Sequence, residues 1–195
     1  MDPTSSSVII ETEPVRVIYT CYGGTHSSPV AAAIHLGRLP RDRVPAREEL
    51  LSIPGFDRAT GDGRGRLSPV GTDRWGNFVY VLPRGSIPLP AVRRLIAGTL
   101  AMCGRADMPL VIVDALVCLN WPMRVGGFLS RRLGLVFVGR PLVTWGTQRA
   151  YRCLVALVER VEAALLRQAP GAFGGTDGGE TEREATQRLT WHDRG

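Results

Sequence analysis

The chain has 195 residues and a formal net charge of +6; 44% of its residues are hydrophobic and 22% are charged. This composition is typical of a globular domain and excludes a largely disordered chain, and no apolar run is long enough to span a membrane. All 24 basic residues are arginines, which excludes enzymes that depend on a catalytic or phosphate-binding lysine.

The predicted strands and helices alternate in the way that is typical of an α/β fold. Alternating apolar residues predict a strand over Val15–Cys21, and a serine before Pro29 predicts a buried helix that begins near Val30 and ends before Gly37. The other predicted elements are, in chain order, a helix at 48–52, strands at 67–70 and 78–82 joined as a hairpin, a helix at 90–102, a strand at 110–113, a basic helix at 123–133, a strand at 136–145 and a helix at 148–167.

These elements predict a three-layer αβα domain with a mainly parallel central sheet plus a β-hairpin, and with the Val15–Cys21 strand near the centre of the sheet. A single α/β domain is expected over residues 15–168. Residues 1–14 carry no signal-peptide pattern and are predicted to be a flexible N-terminus. Residues 169–195 are rich in Gly, Thr and Glu, and we expect them to form a disordered tail.

The cysteines and histidines do not have the spacing of a metal site. The four cysteines are Cys21, Cys103, Cys118 and Cys153, and no two of them form a C-x-x-C pair. Without a secretory signal we expect a reducing cytoplasm, no disulfide framework, and burial of the last three cysteines as small hydrophobic side chains. His26 and His35 would fall on roughly opposite faces of a helix, so no shared metal is expected.

The segment after the first strand has the residue types of an anion-binding loop. A helix that follows a strand through a glycine turn directs unpaired N–H groups and partial positive charge at one point, which favours phosphate. Two glycines would let a ligand approach closely, and three hydroxyl groups would add donors. The candidate anion-binding residues of this loop are Gly23, Gly24, Thr25, Ser27 and Ser28. The alternative is a structural turn in which a serine only caps the helix.

The loop resembles the Cys-x5-Arg-Ser-Pro loop of low-molecular-weight tyrosine phosphatases and arsenate reductases. Cys21, Ser28 and Pro29 match that pattern, which implies a thiolate nucleophile at Cys21. Ser27 stands in the place of the arginine, and no Asp-Pro pair lies near the C-terminal end, where that family keeps its general acid. The missing arginine and the missing Asp-Pro pair both disfavour an ordinary tyrosine phosphatase. A P-loop matches less well, because the chain has no lysine.

Several longer sequence segments along the chain resemble a second protein family. The segments 21–28, 31–37, 71–73, 123–134 and 146–148 are similar to an uncharacterised protein family of spore-forming Firmicutes, the domain of unknown function 3189. The resemblance covers about Val15–Val161. It implies a small cytoplasmic bacterial protein and carries over no activity and no site residues.

Several residues outside the loop are further candidates. Asp114 ends an apolar strand, where α/β proteins place catalytic carboxylates, although a helix cap is an equal alternative. Arg124 and Arg131 would share one face of a helix and are candidates for binding a phosphate, the alternative being a solvated face. Thr147, at the start of the predicted last helix, would mark a second anion-facing N-terminus.

These patterns predict a protein that binds a phosphate-bearing small molecule or a nucleotide, with cysteine-dependent phosphoryl chemistry as a further expectation. Cys21, His26 and Asp114 are the catalytic candidates, with His26 as proton carrier. A non-catalytic regulatory or interaction protein with a structural loop is the alternative. Nucleic acid is a third and weaker option, because an aromatic-rich RNA-binding signature is missing.

Overall fold

The computed structural model describes residues 13–57, 63–131 and 135–168. Its elements are, in chain order, β1 (Arg16–Cys21), α1 (Ser27–His35), α2 (Arg47–Ser52), β2 (Ser68–Thr72), β3 (Phe78–Pro83), α3 (Leu89–Met102), β4 (Leu110–Asp114), a 3-10 helix (Ala115–Cys118), α4 (Trp121–Arg131) and α5 (Val136–Gln168). The predicted disordered tail, and the predicted flexible N-terminus apart from Glu13 and Pro14, lie outside the described residues. Within the described ranges, none of the helices has the length and apolar character needed to cross a membrane.

Strand β1 lies in the interior of the sheet, as predicted. The strand order is β2-β3-β1-β4, with β1 parallel to both of its neighbours and β2 antiparallel to β3. Tyr19 of β1 lies opposite Val81 of β3 and Val113 of β4. The predicted mainly parallel sheet with a hairpin at one edge is therefore confirmed.

Helices cover both faces of this sheet and complete the three layers. Because side chains alternate along a strand, Val17 and Tyr19 pack on the face covered by α1 and α5, whereas Ile18 packs with Val92 of α3. Every residue of α1 is buried, which explains its alanine-rich sequence. Each fully buried Val, Ile or Leu side chain contributes about 1.5–3 kcal/mol through removal from water.

A buried polar cluster connects α1 to the hairpin. His35 Nδ1 lies 2.8 Å from the Tyr19 hydroxyl, and His35 Nε2 lies 3.0 Å from Asp73 Oδ2. Burial raises the pKa of Tyr19 well above its usual value, so its hydroxyl stays protonated and donates to Nδ1. Nε2 then carries the proton that is donated to Asp73. His35 is therefore a structural histidine.

Asp73 also closes the turn between β2 and β3. Its Oδ1 accepts hydrogen bonds from the backbone N–H groups of Trp75 (2.9 Å) and Asn77 (2.8 Å). Burial alone would raise the pKa of Asp73, but hydrogen bonds from Asn77 and His35 outweigh it and lower the pKa below its usual value. The carboxylate is therefore ionised, which is the form that can accept all of these bonds.

The predicted strand at 136–145 is wrong. These residues form the first part of α5, a helix of 33 residues that contains Pro141. Two glycines allow α4 and α5 to pack closely: a Cβ at Gly126 of α4 would lie 2.6 Å from Val143 N, and a Cβ at Gly146 of α5 would lie 2.8 Å from Met123 N. Packing between the two helices therefore overrides the local signals for a strand.

Of the last three cysteines, only Cys118 is buried as expected, and the expectation that no disulfide forms is wrong. Cys118 and Cys153 form a disulfide with a Cα–Cα distance of 5.7 Å, which joins the 3-10 helix to α5. Cys103, near the end of α3, is exposed. Cys118 and Cys153 are 35 residues apart, so their pairing depends on the path of α5 over the sheet. No local sequence pattern predicts this disulfide.

Candidate anion-binding site

The loops that follow β1 and β3 leave the sheet toward opposite faces. β1 leads into α1 on one face, and β3 leads into α3 on the other. Because these strands are neighbours, the carboxyl ends of β1 and β3 form a topological switch point, where α/β sheets bind ligands. Backbone hydrogen bonds of 2.9 Å, from Arg84 N–H to Cys21 C=O and from Gly85 N–H to Tyr22 C=O, hold the two loops together.

The loop at residues 21–28, called loop 21–28 below, depends on Gly24. Its φ of +64° lies in the left-handed region, and a Cβ there would lie 2.5 Å from Cγ of Pro83 at the end of β3. α1 begins at Ser27, earlier than the predicted Val30, and His26 occupies the N-cap position without a side-chain cap hydrogen bond. The expected serine cap is therefore not the arrangement of this helix.

Cys21 ends β1 and places its sulfur at the base of the loop. The Gly24 N–H donates to Cys21 Sγ at 3.1 Å, and Ser28 Oγ lies 2.9 Å from the same sulfur. The residue is only 4% exposed. The sulfur therefore lies beside a helix N-terminus, with a backbone N–H donating to it and a serine hydroxyl in hydrogen-bond contact.

His26 is held by Asp57, a residue that no sequence pattern indicated. His26 Nε2 lies 3.3 Å from Asp57 Oδ1, and Arg140 Nε donates to Asp57 Oδ2 at 3.0 Å. The Asp57 N–H donates to Thr25 C=O at 3.0 Å. Asp57 has a left-handed φ of +50°, and such strain costs about 1–3 kcal/mol. These contacts fix Asp57 in that conformation and tie loop 21–28 to α5.

Packing around the imidazole sets its orientation. The Phe56 ring meets the His26 ring edge-on at 5.7 Å between centres, and a Cβ at Gly127 of α4 would lie 3.2 Å from His26 Cε1. His26 Nδ1 lies 3.5 Å from Thr25 Oγ1. With Nε2 toward Asp57, Nδ1 is therefore the ring nitrogen on the side of the Thr25 hydroxyl.

Helix α4, which contains both predicted arginine candidates, lies beside this loop. Arg124 is exposed and precedes Gly127 by three residues, so it shares a side of α4 with the glycine that contacts His26. Arg131 is the last residue of α4, and its side chain lies outside the described part of the structure. The structure thus brings the helix that carries Arg124 to the loop.

Arg84 joins the ends of β3 and β4 across the end of β1. Its guanidinium donates to Asp114 Oδ2 at 3.0 Å and to Ile87 C=O at 2.7 Å. Asp114 Oδ1 accepts from Leu116 N–H at 3.0 Å, so Asp114 caps the 3-10 helix, as the alternative prediction had it. The Arg84 side chain is 11% exposed, and its Nε is buried without a partner among the described residues.

Thr147 does not belong to this site. It was expected at a helix start, but it lies inside α5, is fully buried, and donates its hydroxyl to Val143 C=O at 2.9 Å. The prediction of a second anion-facing N-terminus at Gly146-Thr147 is therefore wrong. Its cause is the misassigned strand at 136–145.

The polar groups gathered at this edge of the sheet are mainly hydrogen-bond donors. They include loop N–H groups, hydroxyls and the guanidinium groups of Arg84 and Arg140, which Asp114 and Asp57 hold in place. Within residues 13–57, 63–131 and 135–168, no group of three or more His, Cys, Asp or Glu side chains is placed to hold a metal ion. This set of donors suits a small anion.

Asp57 and Arg84 are the site residues that the sequence did not reveal. Arg84 lies two residues after the predicted strand at 78–82, so a search for polar residues near strand ends would have found it. Asp57 lies in a glycine-rich segment, and its contact with His26 depends on the path of the chain after α2. No local pattern could have indicated that contact.

A family model described as "Protein of unknown function (DUF3189)" matches residues 16–163. No curated protein and no solved structure gives a significant match. The matched range runs from β1 into α5 and includes loop 21–28, Asp57, Arg84 and Asp114. The chain therefore belongs to the DUF3189 family, as its sequence blocks predicted.

Proposed function

We propose that this chain binds the phosphate group of a small phosphorylated molecule or a nucleotide in loop 21–28. The observation that carries the proposal is the surroundings of Cys21 Sγ, with Gly24 N at 3.1 Å and Ser28 Oγ at 2.9 Å at the start of α1. Donors that converge on a sulfur also stabilise the oxygens of a phosphate.

The charges around the loop support a phosphate ligand. The N-terminus of α1 carries a partial positive charge of roughly half an elementary charge. Arg84 and Arg140 lie beside the loop, but each is paired with an aspartate, so the net positive charge that supports the proposal is that of the α1 N-terminus and of the whole chain, which carries +6. A doubly charged phosphate monoester gains more from these charges than a neutral or singly charged ligand does.

The same arrangement supports slow phosphoryl transfer through Cys21. In the first step the thiolate attacks phosphorus, an S–P bond forms, the P–O bond to the leaving group breaks, and protonated His26 gives its proton to the leaving oxygen. In the second step water attacks phosphorus, His26 takes the proton, the S–P bond breaks, and phosphate leaves. Because Ser27 replaces the arginine of the phosphatase loop, we expect slow turnover.

Alkylation of Cys21 by iodoacetamide tests the proposal. The experiment uses a Cys103→Ser background, because Cys103 is the other free thiol of the described residues and is exposed. We expect iodoacetamide to modify Cys21, and phosphate at about ten times its dissociation constant should slow the reaction about tenfold. Sodium chloride at equal ionic strength should not slow it.

Two serine variants sharpen the result. Ser28→Ala removes the hydroxyl beside the sulfur and should reduce both the alkylation rate and the protection by phosphate. Ser52→Ala, on the exposed face of α2, is the control and should change neither. Sluggish alkylation that is indifferent to phosphate would contradict the proposal and favour the alternative, an interaction protein with a structural loop.

A further inference from the structure

Tyr22 is an exposed aromatic side chain near the start of loop 21–28. Its side chain follows Cys21 directly and the residue is 47% exposed, whereas Cys21 and the two serines that begin α1 are buried. One exposed tyrosine needs no explanation by itself. Its fixed position next to Cys21 and its contact with an arginine point to a role.

Backbone hydrogen bonds tie Cys21 and Tyr22 to the residues that follow β3. Gly85 N–H donates to Tyr22 C=O and Arg84 N–H donates to Cys21 C=O, both at 2.9 Å. Consecutive Cα atoms are about 3.8 Å apart, so the tyrosine ring and the cysteine sulfur start from adjacent points of the backbone. A phosphate held in loop 21–28 would therefore lie close to the backbone of Tyr22, and the exposed ring is long enough to contact a group attached to that phosphate.

Arg64 adds a positive charge to the tyrosine ring. Its Cζ lies 5.5 Å from the centre of the Tyr22 ring. The next residue is anchored, because Gly65 N–H donates to Pro83 C=O at 2.7 Å, and a Cβ at Gly85 would lie 3.6 Å from Arg64 Cδ. A flat aromatic face with a guanidinium against it binds other flat rings by stacking, and the same guanidinium attracts phosphate.

We propose that Tyr22 and Arg64 form a subsite for a flat unsaturated ring carried by the phosphate ester. The ligand class is then an aryl phosphate or a nucleotide rather than an aliphatic phosphate ester. This inference rests on the proposed function and specifies the substrate at the same site. Stacking of a ring on an aromatic side chain strengthens binding and tolerates different rings, so the shared chemistry is the flat ring itself.

Protection of Cys21 from iodoacetamide by four ligands tests this subsite. The ligands are inorganic phosphate, glycerol phosphate, phenyl phosphate and adenosine monophosphate, each titrated to half-protection in the Cys103→Ser background. We expect phenyl phosphate or adenosine monophosphate to protect at a concentration about tenfold lower than glycerol phosphate does. An advantage for phenyl phosphate alone identifies aryl phosphates, and an advantage for adenosine monophosphate alone identifies nucleotides.

Three variants assign the advantage to Tyr22. In Tyr22→Ala, the ratio of the half-protection concentrations of the aliphatic and the flat ester should fall close to one. In Tyr22→Phe, this ratio should stay as it is in the wild type. Trp75→Ala is the matched control, because Trp75 is also exposed and also carries an arginine over its ring, at 4.0 Å, but lies in the hairpin turn. It should leave the ratio unchanged.

Three outcomes overturn the inference, and they can be told apart. If all three esters and inorganic phosphate protect at similar concentrations, the subsite is wrong and the phosphate loop stands. If the flat esters protect better but Tyr22→Ala keeps their advantage, another residue binds the ring and this assignment is wrong. Protection by none of the four ligands would reject the proposed function, and the subsite with it.

Discussion

At the scale of single residues, loop 21–28 depends on the backbone of Gly24. The left-handed φ of +64° is one that glycine adopts at no steric cost, and Pro83 fills the space where a Cβ would lie. Gly24 also supplies the N–H that donates to Cys21 Sγ. A substitution here therefore disturbs both the fold of the loop and the N–H group that we propose binds phosphate.

Replacement of Gly24 tests this dependence against a matched glycine. Gly37, after α1, has a similar φ of +67° but nothing within 4 Å of its Cβ position. We expect Gly37→Ala to lower the free energy of unfolding by about 1–2 kcal/mol through the backbone alone. Gly24→Ala should lose a further 1–3 kcal/mol, roughly the cost of overpacking against Pro83. If urea unfolding shows the same loss of unfolding free energy for both variants, the dependence of loop 21–28 on Gly24 is contradicted.

At the scale of elements, α5 is the helix that connects the sheet, the residues around loop 21–28 and the 3-10 helix. It covers one face of the sheet, holds Asp57 through Arg140, and is linked to the 3-10 helix by the disulfide Cys118–Cys153. The disulfide anchors α5 close to the end of β4, near the Arg84–Asp114 ion pair.

Reduction of this disulfide should destabilise the protein measurably. A crosslink between residues 35 apart limits the unfolded chain, and the chain-entropy estimate for this loop is about 3–4 kcal/mol. We expect dithiothreitol, or the double variant Cys118→Ser with Cys153→Ser, to lower the free energy of unfolding by this amount. Cys103→Ser is the control and should have little effect, because Cys103 is exposed and free. Insensitivity to reductant would show that the crosslink does not form in solution.

The elements that the sequence predicted well are those whose local pattern agrees with their environment. β1 and β4 are short apolar runs in a parallel sheet, and the Asp73–Asn77 turn has the residues that a hairpin needs. The loop after β1 was found for the same reason, because its glycines and hydroxyls are contiguous. The first part of α5 was missed because its glycines and Pro141 are local break signals, which contacts with α4 override.

The parts of the site that could not be predicted are contacts between distant segments. His26 meets Asp57 from the segment after α2, and Arg84 meets Asp114 across the end of β1. The disulfide likewise joins two elements that only the fold brings together. A single sequence encodes such pairs through the packing of the whole chain, and no spacing rule exposes them.

At the scale of the whole molecule, the topology places loop 21–28 and the charged residues around it at one edge of the sheet. β1 and β3 send their connections to opposite faces, so loop 21–28 and the chain after β3 meet at the switch point. The net charge of +6 favours the approach of anionic ligands at low salt, and this attraction weakens as salt screens it. The central claim of this account is that a phosphate group binds at that edge.

The most direct test is the stabilisation of the folded protein by phosphate, compared between the wild type and Gly24→Ala in urea unfolding. Phosphate also stabilises proteins in general by exclusion from their surface, so the difference between the two variants is the informative quantity. We predict that phosphate at about a hundred times its dissociation constant raises the free energy of unfolding of the wild type by about 2.7 kcal/mol more than that of Gly24→Ala. Equal stabilisation of the two variants at every phosphate concentration would contradict it.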